Sequence, residues 1–396
     1  MMLRQISVFF IFLATVSVFW FSMIPKNLVL AMSAAMILLM LVVILIGLIY
    51  DRSARFKQHF STEIMLIFLA LMFSSFGAKW AHNQDFPLTM WAQKGMFFYL
   101  FYFFLHTIRI SPKEIERLML FIAILYLIGF ILQTVAYPRV FFDARMSWDR
   151  GTLRLFLPGK AFVVVMYFYF LQLFFEKTKP KYLIFCLLTF VVTLLQGTRS
   201  ALFLLLLGTL FNLIFSKRVK SRFLIMFLLM LSIFPIFFIF QDIFMNLVAV
   251  SEEQSEDSEN DIRVRAAIFF LTDFYHDKLN YFIGHGESHM ASPYGMQIFY
   301  YKVNNGFFLS DIGIIGEYVR FGVLYVISIA LILRKLFVLR IDPKYMYFKY
   351  YILISLIGMV MGGIFSREDS FVPILAMMYF IDVSIHDKKL AAEGNP

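Results

Sequence analysis

Charge and cysteine are what this 396-residue sequence has least of. Charged residues make up 16% of it, where soluble domains carry roughly 25%. The single cysteine, Cys186, lies inside an apolar run, so no intrachain disulfide is possible and a buried structural thiol is the reading it supports. There is no GxxxxGK[ST], hence no phosphate-cradling loop of a built-in ATPase. HExxH, paired CxxC clusters and GxSxG are absent, which removes zincin, zinc-finger and hydrolase-elbow chemistry. No DxD is present to grip a metal–nucleotide sugar, and no repeat stands out between the two halves, which counts against transporters built from inverted repeats. Alternating segments of about ten residues, the mark of a membrane β-barrel, are missing too.

What is there is apolar. Hydrophobic residues fill 61% of the positions and phenylalanine occurs 51 times. Runs of about 16 to 24 apolar residues recur along the whole chain, each long enough or nearly so to cross a hydrocarbon core of roughly 30 Å as a helix. They fall at 6–24, 28–50, 62–80, 88–108, 115–136, 161–175, 182–196, 200–216, 223–241, 311–333, 350–365 and 371–385. The fold class this implies is all-α: a polytopic transmembrane bundle of about twelve helices forming one membrane domain over 1–396. The first run, Ile6 to Ile24, is read as a membrane helix and not as a signal peptide, because Pro25-Lys26-Asn27 offers no small-residue cleavage site and another apolar run follows at once.

A net charge of +10 invites a nucleic-acid partner, but its pattern points elsewhere. Basic residues sit between apolar runs, at Arg52/Arg55/Lys57, Arg109/Lys113/Arg117, Lys177/Lys179/Lys181, Lys217/Arg218/Lys220/Arg222 and Arg334/Lys335/Arg340/Lys344/Lys349, with Lys388 and Lys389 in the tail. Every second connection is basic, as the positive-inside rule expects of cytoplasmic loops, and both termini then lie in the cytoplasm. The opposite side receives Tyr137 to Lys160, the turn Gly197-Thr198-Arg199, and an extracytoplasmic loop over 242–310 between the ninth and tenth helices. That loop opens with the acidic, low-complexity Ser251 to Arg263, a composition that buries no core. The segment RVRAAIFFLTDFYHDKLNYF after it reads as an amphipathic helix, followed by a Gly- and His-containing loop from Ile283 to Gly295.

Several charges stand where the membrane should disfavour them. Arg320 follows Asp311 by nine residues, which at about 1.5 Å each places it roughly 14 Å along its helix. A charge there costs about 2.5 to 3.5 kcal/mol on insertion scales and needs a partner or a hydrated cavity. Glu317 lies three residues before it, so mutual neutralisation on one helix face is one reading and a functional pair the other. Lys94 is similar but shallower, and a structural role suits it. Arg199 is either a headgroup anchor or a ligand. Arg139, Arg145, Arg150 and Arg154 crowd an outer segment where basic residues should be scarce, to hold lipid headgroups or a phosphorylated substrate. Arginine suits a diphosphate because its fork gives bidentate hydrogen bonds and keeps its proton. A lipid-linked diphosphate sits at this depth.

The order QGTRSALFLLLL, DIRVRAAIFFL, YFIGHGES and NNGFFLSDIGIIGEYVRFGVL over roughly 180 to 330 resembles the O-antigen polymerase (Wzy-type) and O-antigen ligase superfamily of polytopic membrane glycosyltransferases. The resemblance implies transfer of a growing glycan from undecaprenyl diphosphate on the outer face of a bacterial cytoplasmic membrane, without metal or other cofactor. Substrate binding would fall to Arg199, to Arg263 or Arg265, and to Arg320 with Arg145, Arg150 and Arg154. The base for the acceptor hydroxyl would be His289, Glu287 or Asp311, the last also a candidate N-cap. Asn304-Asn305 stands where many ligases carry a His-Asn pair, leaving His285 and His289 as nearby histidines. Tyr294, Phe299, Tyr300 and Tyr301 are placed to stack on sugars or simply to pack. Expected partners are the undecaprenyl-diphosphate-linked oligosaccharide, membrane lipid and a chain-length regulator protein, with no nucleic acid. Alternatives are a ligase passing glycan to lipid A core, or a transporter or flippase for a lipid-linked or anionic solute.

Overall fold

The computed structural model describes residues 2–50, 57–149, 152–216, 222–243, 245–246, 261–275, 277–360 and 362–393. Arg52, Arg55, Arg150, the basic residues 217–220 and the acidic stretch 251–260 lie outside them.

In chain order the helices are α1 (Met2–Thr15), α2 (Lys26–Tyr50), α3 (Ser61–His82), α4 (Phe86–Ala92), α5 (Leu100–Ile108) and α6 (Pro112–Ala136). An antiparallel hairpin of β1 (Arg145–Asp149) and β2 (Thr152–Phe156) precedes α7 (Lys160–Lys177), α8 (Pro180–Leu195), α9 (Arg199–Phe215) and α10 (Arg222–Ile239). Then come α11 (Ile262–Leu271), α12 (Asn280–Ile283), α13 (Pro293–Asn304), α14 (Gly313–Val338), α15 (Tyr347–Gly358) and α16 (Glu368–Glu393). Among the described residues the architecture is helical apart from this hairpin and an isolated bridge between Phe21 and Phe142.

Five of these stretches are long and apolar enough to cross a membrane: α2, α3, α6, Leu309–Val338 and Glu368–Ala391. The exposure of the first four fits hydrocarbon surroundings, whereas Glu368–Ala391 is mostly enclosed by protein. On α3 the side chains of Met65, Leu69, Met72, Phe73, Phe76 and Trp80 are exposed along one helical stripe, while Ile64, Ile67, Leu71 and Ala78 are buried. Helix α6 begins with a capping box in which Ser111 Oγ accepts from the Glu114 amide and the Glu114 carboxylate accepts from the Ser111 amide.

Besides 311–333, which breaks at Gly322 within α14, two expected runs are not single helices. Over 6–24, α1 stops at Thr15, and Ser17 to Trp20 follow with φ between 47° and 57°. Left-handed backbone costs about 1–2 kcal/mol per residue outside glycine, so tertiary pairing must hold it. It does: the Ser22 amide donates to Phe141 O at 2.8 Å and the Asp143 amide to Trp20 O at 2.7 Å. Over 88–108, α4 ends at Ala92, Lys94–Tyr99 forms a 3-10 turn, and α5 resumes. Lys94 and Gly95 fall at that break.

The chain divides into two compact units. The first comprises 1–36, 108–256 and 342–357; the second comprises 37–107, 257–341 and 358–396. Unit 1 packs α6, α7 and α8 on one another, with Phe12 against Phe162 and Tyr347 Oη donating to Glu116 at 2.6 Å. Unit 2 is organised on α3 and α14, which share its most extensive contact. Around them α11, α13 and the segments that join them to α14 build a small apolar core of Phe270, Phe274, Tyr294, Phe307 and Ile312, closed by Val319 of α14.

Candidate functional site

The polar centre of unit 2 is built on a broken helix. Gly322, inside α14, has φ +79°, a region open to glycine, and a Cβ there would lie 2.3 Å from Phe282 O. The break frees carbonyls for another donor. Val319 O accepts from the His285 amide at 2.9 Å and Arg320 O from the Gly286 amide at 2.7 Å. The loop Gly284-His285-Gly286-Glu287 is thereby docked against a span by backbone bonds, the condition under which irregular backbone persists at membrane depth. The docking requires small residues: a Cβ on Gly77 of α3 would lie 2.0 Å from Gly284 O.

That docking brings Glu287 to Arg320. Arg320 donates from Nη1 to Glu287 Oε2 at 2.8 Å, from Nε to Gly316 O at 3.1 Å, and from Nη2 to Ser366 Oγ at 3.3 Å. The Arg320 side chain is 12% exposed and the Glu287 side chain 29%, so the acid is the more accessible of the two and the arginine is largely withdrawn. Glu317 is fully buried; its Oε1 accepts from the Ser366 amide at 2.9 Å, and Oε2 has no hydrogen-bond partner among the described residues. The arginine's ion pair is with Glu287, while Glu317, three residues before it on the same helix, stays within electrostatic reach of it.

Gln84, one residue past the left-handed cap of α3 at Asn83, fixes the loop from its other side. Its Nε2 donates to Glu287 O at 2.8 Å and Thr89 Oγ1 at 2.8 Å, while Oε1 accepts from the His289 amide at 2.9 Å and Ser292 Oγ at 2.6 Å. His82 Nε2 and His285 Nδ1 are 2.8 Å apart, and the His82 ring stacks on Tyr294 at 4.0 Å and 5°. Burial pushes the Tyr294 phenol up, so it stays neutral and donates to Gly286 O at 3.3 Å.

Of the proposed bases, Glu287 alone lies within hydrogen-bonding distance of Arg320. His289 is nearby, but its Nδ1 accepts from the Ala291 amide at 3.2 Å, so a neutral ring carries its hydrogen on Nε2 and presents a donor. Asp311 is exposed and accepts from Ser310 Oγ at 3.0 Å. It does not cap α14 either: Ile312 occupies the cap, without a side-chain bond. Arg263 and Arg265 are exposed on the first turn of α11, where Asp261 accepts from the Arg263 amide at 2.7 Å. Among the described residues neither bonds to Glu287 or Arg320. Lys94, at the broken helix, lies over Trp91 at 5.6 Å and within electrostatic reach of Glu368.

The other arginines belong to unit 1. Arg145 and Arg154 share one face of the hairpin, given the register Arg145↔Phe156 and Ser147↔Arg154. Arg145 is exposed. Arg154 pairs with Asp149 at 2.8 Å and donates from Nε to Gln196 O at 3.3 Å. Lys160 donates to Gln196 Oε1 and approaches Thr198 Oγ1 at 3.4 Å. Arg154 and Lys160 thus converge on the turn before Arg199, which is half-buried as the first residue of α9.

Sequence reasoning missed His82, Gln84, Ser366 and Lys160, although the polar runs His82-Asn83-Gln84-Asp85 and Ser366-Arg367-Glu368-Asp369 are legible signals between apolar segments. It also missed a second buried cluster in unit 2. Asp382, fully buried on α16, accepts from Tyr102 Oη at 2.5 Å and lies 2.8 Å from His59 Nδ1 and 3.1 Å from His106 Nε2. Among the described residues no group of His, Cys, Asp and Glu is placed to hold a metal ion. No model of a known protein family matches the chain, and no curated protein matches it.

Proposed function

We propose that the chain is a multispan membrane glycosyltransferase that joins undecaprenyl-diphosphate-linked oligosaccharide repeat units into O-antigen, capsular or exopolysaccharide on the outer face of a bacterial cytoplasmic membrane. A topology of about twelve spans with cytoplasmic termini belongs to the same proposal. The observation that supports it most is the Glu287–Arg320 pair at the broken α14: a partly accessible carboxylate on the docked loop, held by a withdrawn arginine that lies within a stretch apolar enough to cross a membrane. In this reading Glu287 Oε1 accepts the proton of the acceptor hydroxyl as its oxygen bonds to the anomeric carbon. The anomeric carbon–oxygen bond to diphosphate breaks, and the lipid diphosphate departs with the electron pair. Arg320 stabilises the charge that develops on it. Arg154, Lys160 and Arg199 form a further cationic group suited to a phosphate.

A transporter or flippase is the second reading, favoured by the two interrupted helices of unit 2, a device transporters use to place polar backbone at their binding sites. The test is the size-resolved surface glycan of a strain lacking the gene, complemented with wild type, Glu287→Gln or Arg320→Met. Loss of the long ladder with survival of a core bearing one repeat, unrestored by either variant at normal protein level, is the expected outcome. Loss of every repeat with accumulation of lipid-linked polymer points to a ligase. An unchanged profile removes glycan transfer and leaves the transporter.

A further inference from the structure

Helix α13 is apolar on two opposite sides. Each residue of a helix advances by about 100°, which groups Tyr294, Ile298 and Tyr301 on one side and Met296, Phe299, Tyr300 and Val303 on the other. The first side is accounted for: Tyr294 belongs to the small core, and Ile298 and Tyr301 pack against it. The second is exposed at all four residues. Gln297 and Lys302 lie on the flanks between the two, with Lys302 Nζ over Phe308 at 5.3 Å. An aqueous loop has no use for four large apolar side chains on one exposed stripe of a short helix.

The attachment of α13 says what covers that stripe. Its first turn is fastened to the end of a stretch long and apolar enough to span: Tyr294 stacks on His82, the last residue of α3, and Ser292 Oγ donates to Gln84. At that same end Trp80, 69% exposed, donates its indole N–H to Asp277 Oδ2 at 2.7 Å, and Leu279 and Phe282 are exposed beyond it. A tryptophan with an apolar ring outside and a bonded N–H marks a membrane–water interface. The exposed stripe of α3, running from Met65 to Trp80, leads to that level.

We propose that α13 lies in the headgroup layer of the bilayer at this end of α3, with Met296, Phe299, Tyr300 and Val303 immersed at the acyl boundary and Lys302 among the lipid phosphates. An interfacial helix has this build: an apolar face in the lipid and a cation at its edge. Here the opposite face holds a protein core instead of facing water, so the lipid contact is transmitted. Gln84 joins Ser292, at the start of α13, to Glu287 O, and the bilayer surface thereby becomes the floor beneath the Glu287–Arg320 pair. The inference rests on the chain being a membrane protein and does not depend on glycan transfer.

The test places an environment-sensitive nitrobenzoxadiazole probe on Phe299→Cys and, separately, on Val303→Cys in the full-length protein in vesicles of phosphatidylcholine and phosphatidylglycerol. Cys186 stays in place, because a buried thiol labels poorly; wild type supplies the blank. Met72→Cys on the exposed stripe of α3 reports lipid and Asp311→Cys reports water. Both α13 probes are expected to emit to the blue of the Asp311 probe, to lose most of their emission to doxyl-labelled lipid, and to resist iodide. Quenching by iodide at the level of Asp311→Cys overturns the proposal. Shielding from both quenchers also overturns it, and assigns the stripe to a second copy or another protein.

Discussion

Removing the carboxylate of Asp382 tests whether buried charge holds unit 2 together. The carboxylate is fully buried; Tyr102 Oη, His59 Nδ1 and His106 Nε2 lie at 2.5, 2.8 and 3.1 Å from its oxygens. Lys335 does not substitute for any of them, being engaged with Glu63 Oε1 and His59 O at 2.6 Å each. Asp382→Ala therefore strips the shared acceptor from the buried Tyr102 hydroxyl and from the amide and ring nitrogen of His59, and removes the carboxylate beside His106 Nε2. Orphaning one buried polar group costs about 1–3 kcal/mol, and since more than one donor loses its acceptor the expected loss is about 2–6 kcal/mol. Asp382→Asn keeps one acceptor oxygen and should lose about half of that. The assay is reversible unfolding by dodecyl sulfate in mixed micelles, followed by tryptophan fluorescence, with the exposed Asp387→Ala as a control expected within about 0.5 kcal/mol of wild type. The comparison that isolates the cause is Asp382→Leu combined with Tyr102→Phe and His106→Leu. Joint apolar replacement of buried polar partners is often neutral or stabilising; His59 and the Phe60 amide, which donates to Tyr102 Oη, are left, so this variant should recover part of the loss. Asp382→Ala within about 0.5 kcal/mol of wild type refutes the reasoning.

Three further outcomes follow from unit 2. Gly77→Ala puts a methyl group 2.0 Å from Gly284 O, and since backbone must move, it should cost at least the ~1–3 kcal/mol of core overpacking and loosen residues 284–287 in hydrogen exchange. Gln84→Leu removes the acceptor of the His289 amide and Ser292 Oγ together with the donor to Glu287 O; a loss of about 1–3 kcal/mol is expected, with exchange of 285–292 accelerated and that of α16 unchanged. Asp277 is held below the ordinary carboxylate value by the Leu279 amide and the Trp80 indole, both bonded to its ionised form. A depressed folded value means that stabilisation is present above the unfolded value and lost as pH falls through the folded one. Trp80→Phe should therefore move the carboxyl titration of Asp277, read by NMR, upward toward 3.8.

The helices were legible wherever an apolar run kept its period to the end, because burying or lipid-facing side chains and backbone closure ask for the same pattern. The interruptions were not. Gln93-Lys94-Gly95 looks like a minor blemish in a run from 88 to 108, yet Gly95 sits where a Cβ would meet Glu368 Oε2 at 2.5 Å. The chain breaks there to admit a group 273 positions away (368 minus 95). The hairpin at 145–156 was taken only as an arginine-rich outer segment, since its pairing is decided by the Gln196–Thr198 turn it docks on as much as by its own alternation.

The candidate site divides along the same line. That Arg320 needed a partner followed from the cost of a lone charge, and that argument requires nothing but depth. Which partner it takes is a different kind of question. Glu317 is three residues away on the same helix, and for an unbroken α14 that proximity favours it. Gly322 changes the answer: by leaving helical geometry it lets Val319 O and Arg320 O accept from His285 and Gly286, and those two bonds deliver Glu287 to the guanidinium across 33 positions of sequence. One glycine in a left-handed region thus selects the ion pair, and a substitution there should undo the pairing before it unfolds the helix. Gly322→Ala carries a Cβ 2.3 Å from Phe282 O as well as an unfavourable φ. Its expected signature is displacement of the 282–287 loop, read as faster amide exchange at His285 and Gly286, with the Asp382 cluster and the stability it supports left in place. Equal loosening at both places would mean that the loop and the helix ends form one cooperative unit, and that the pair at Arg320 is fixed by the whole of unit 2 and not by this break.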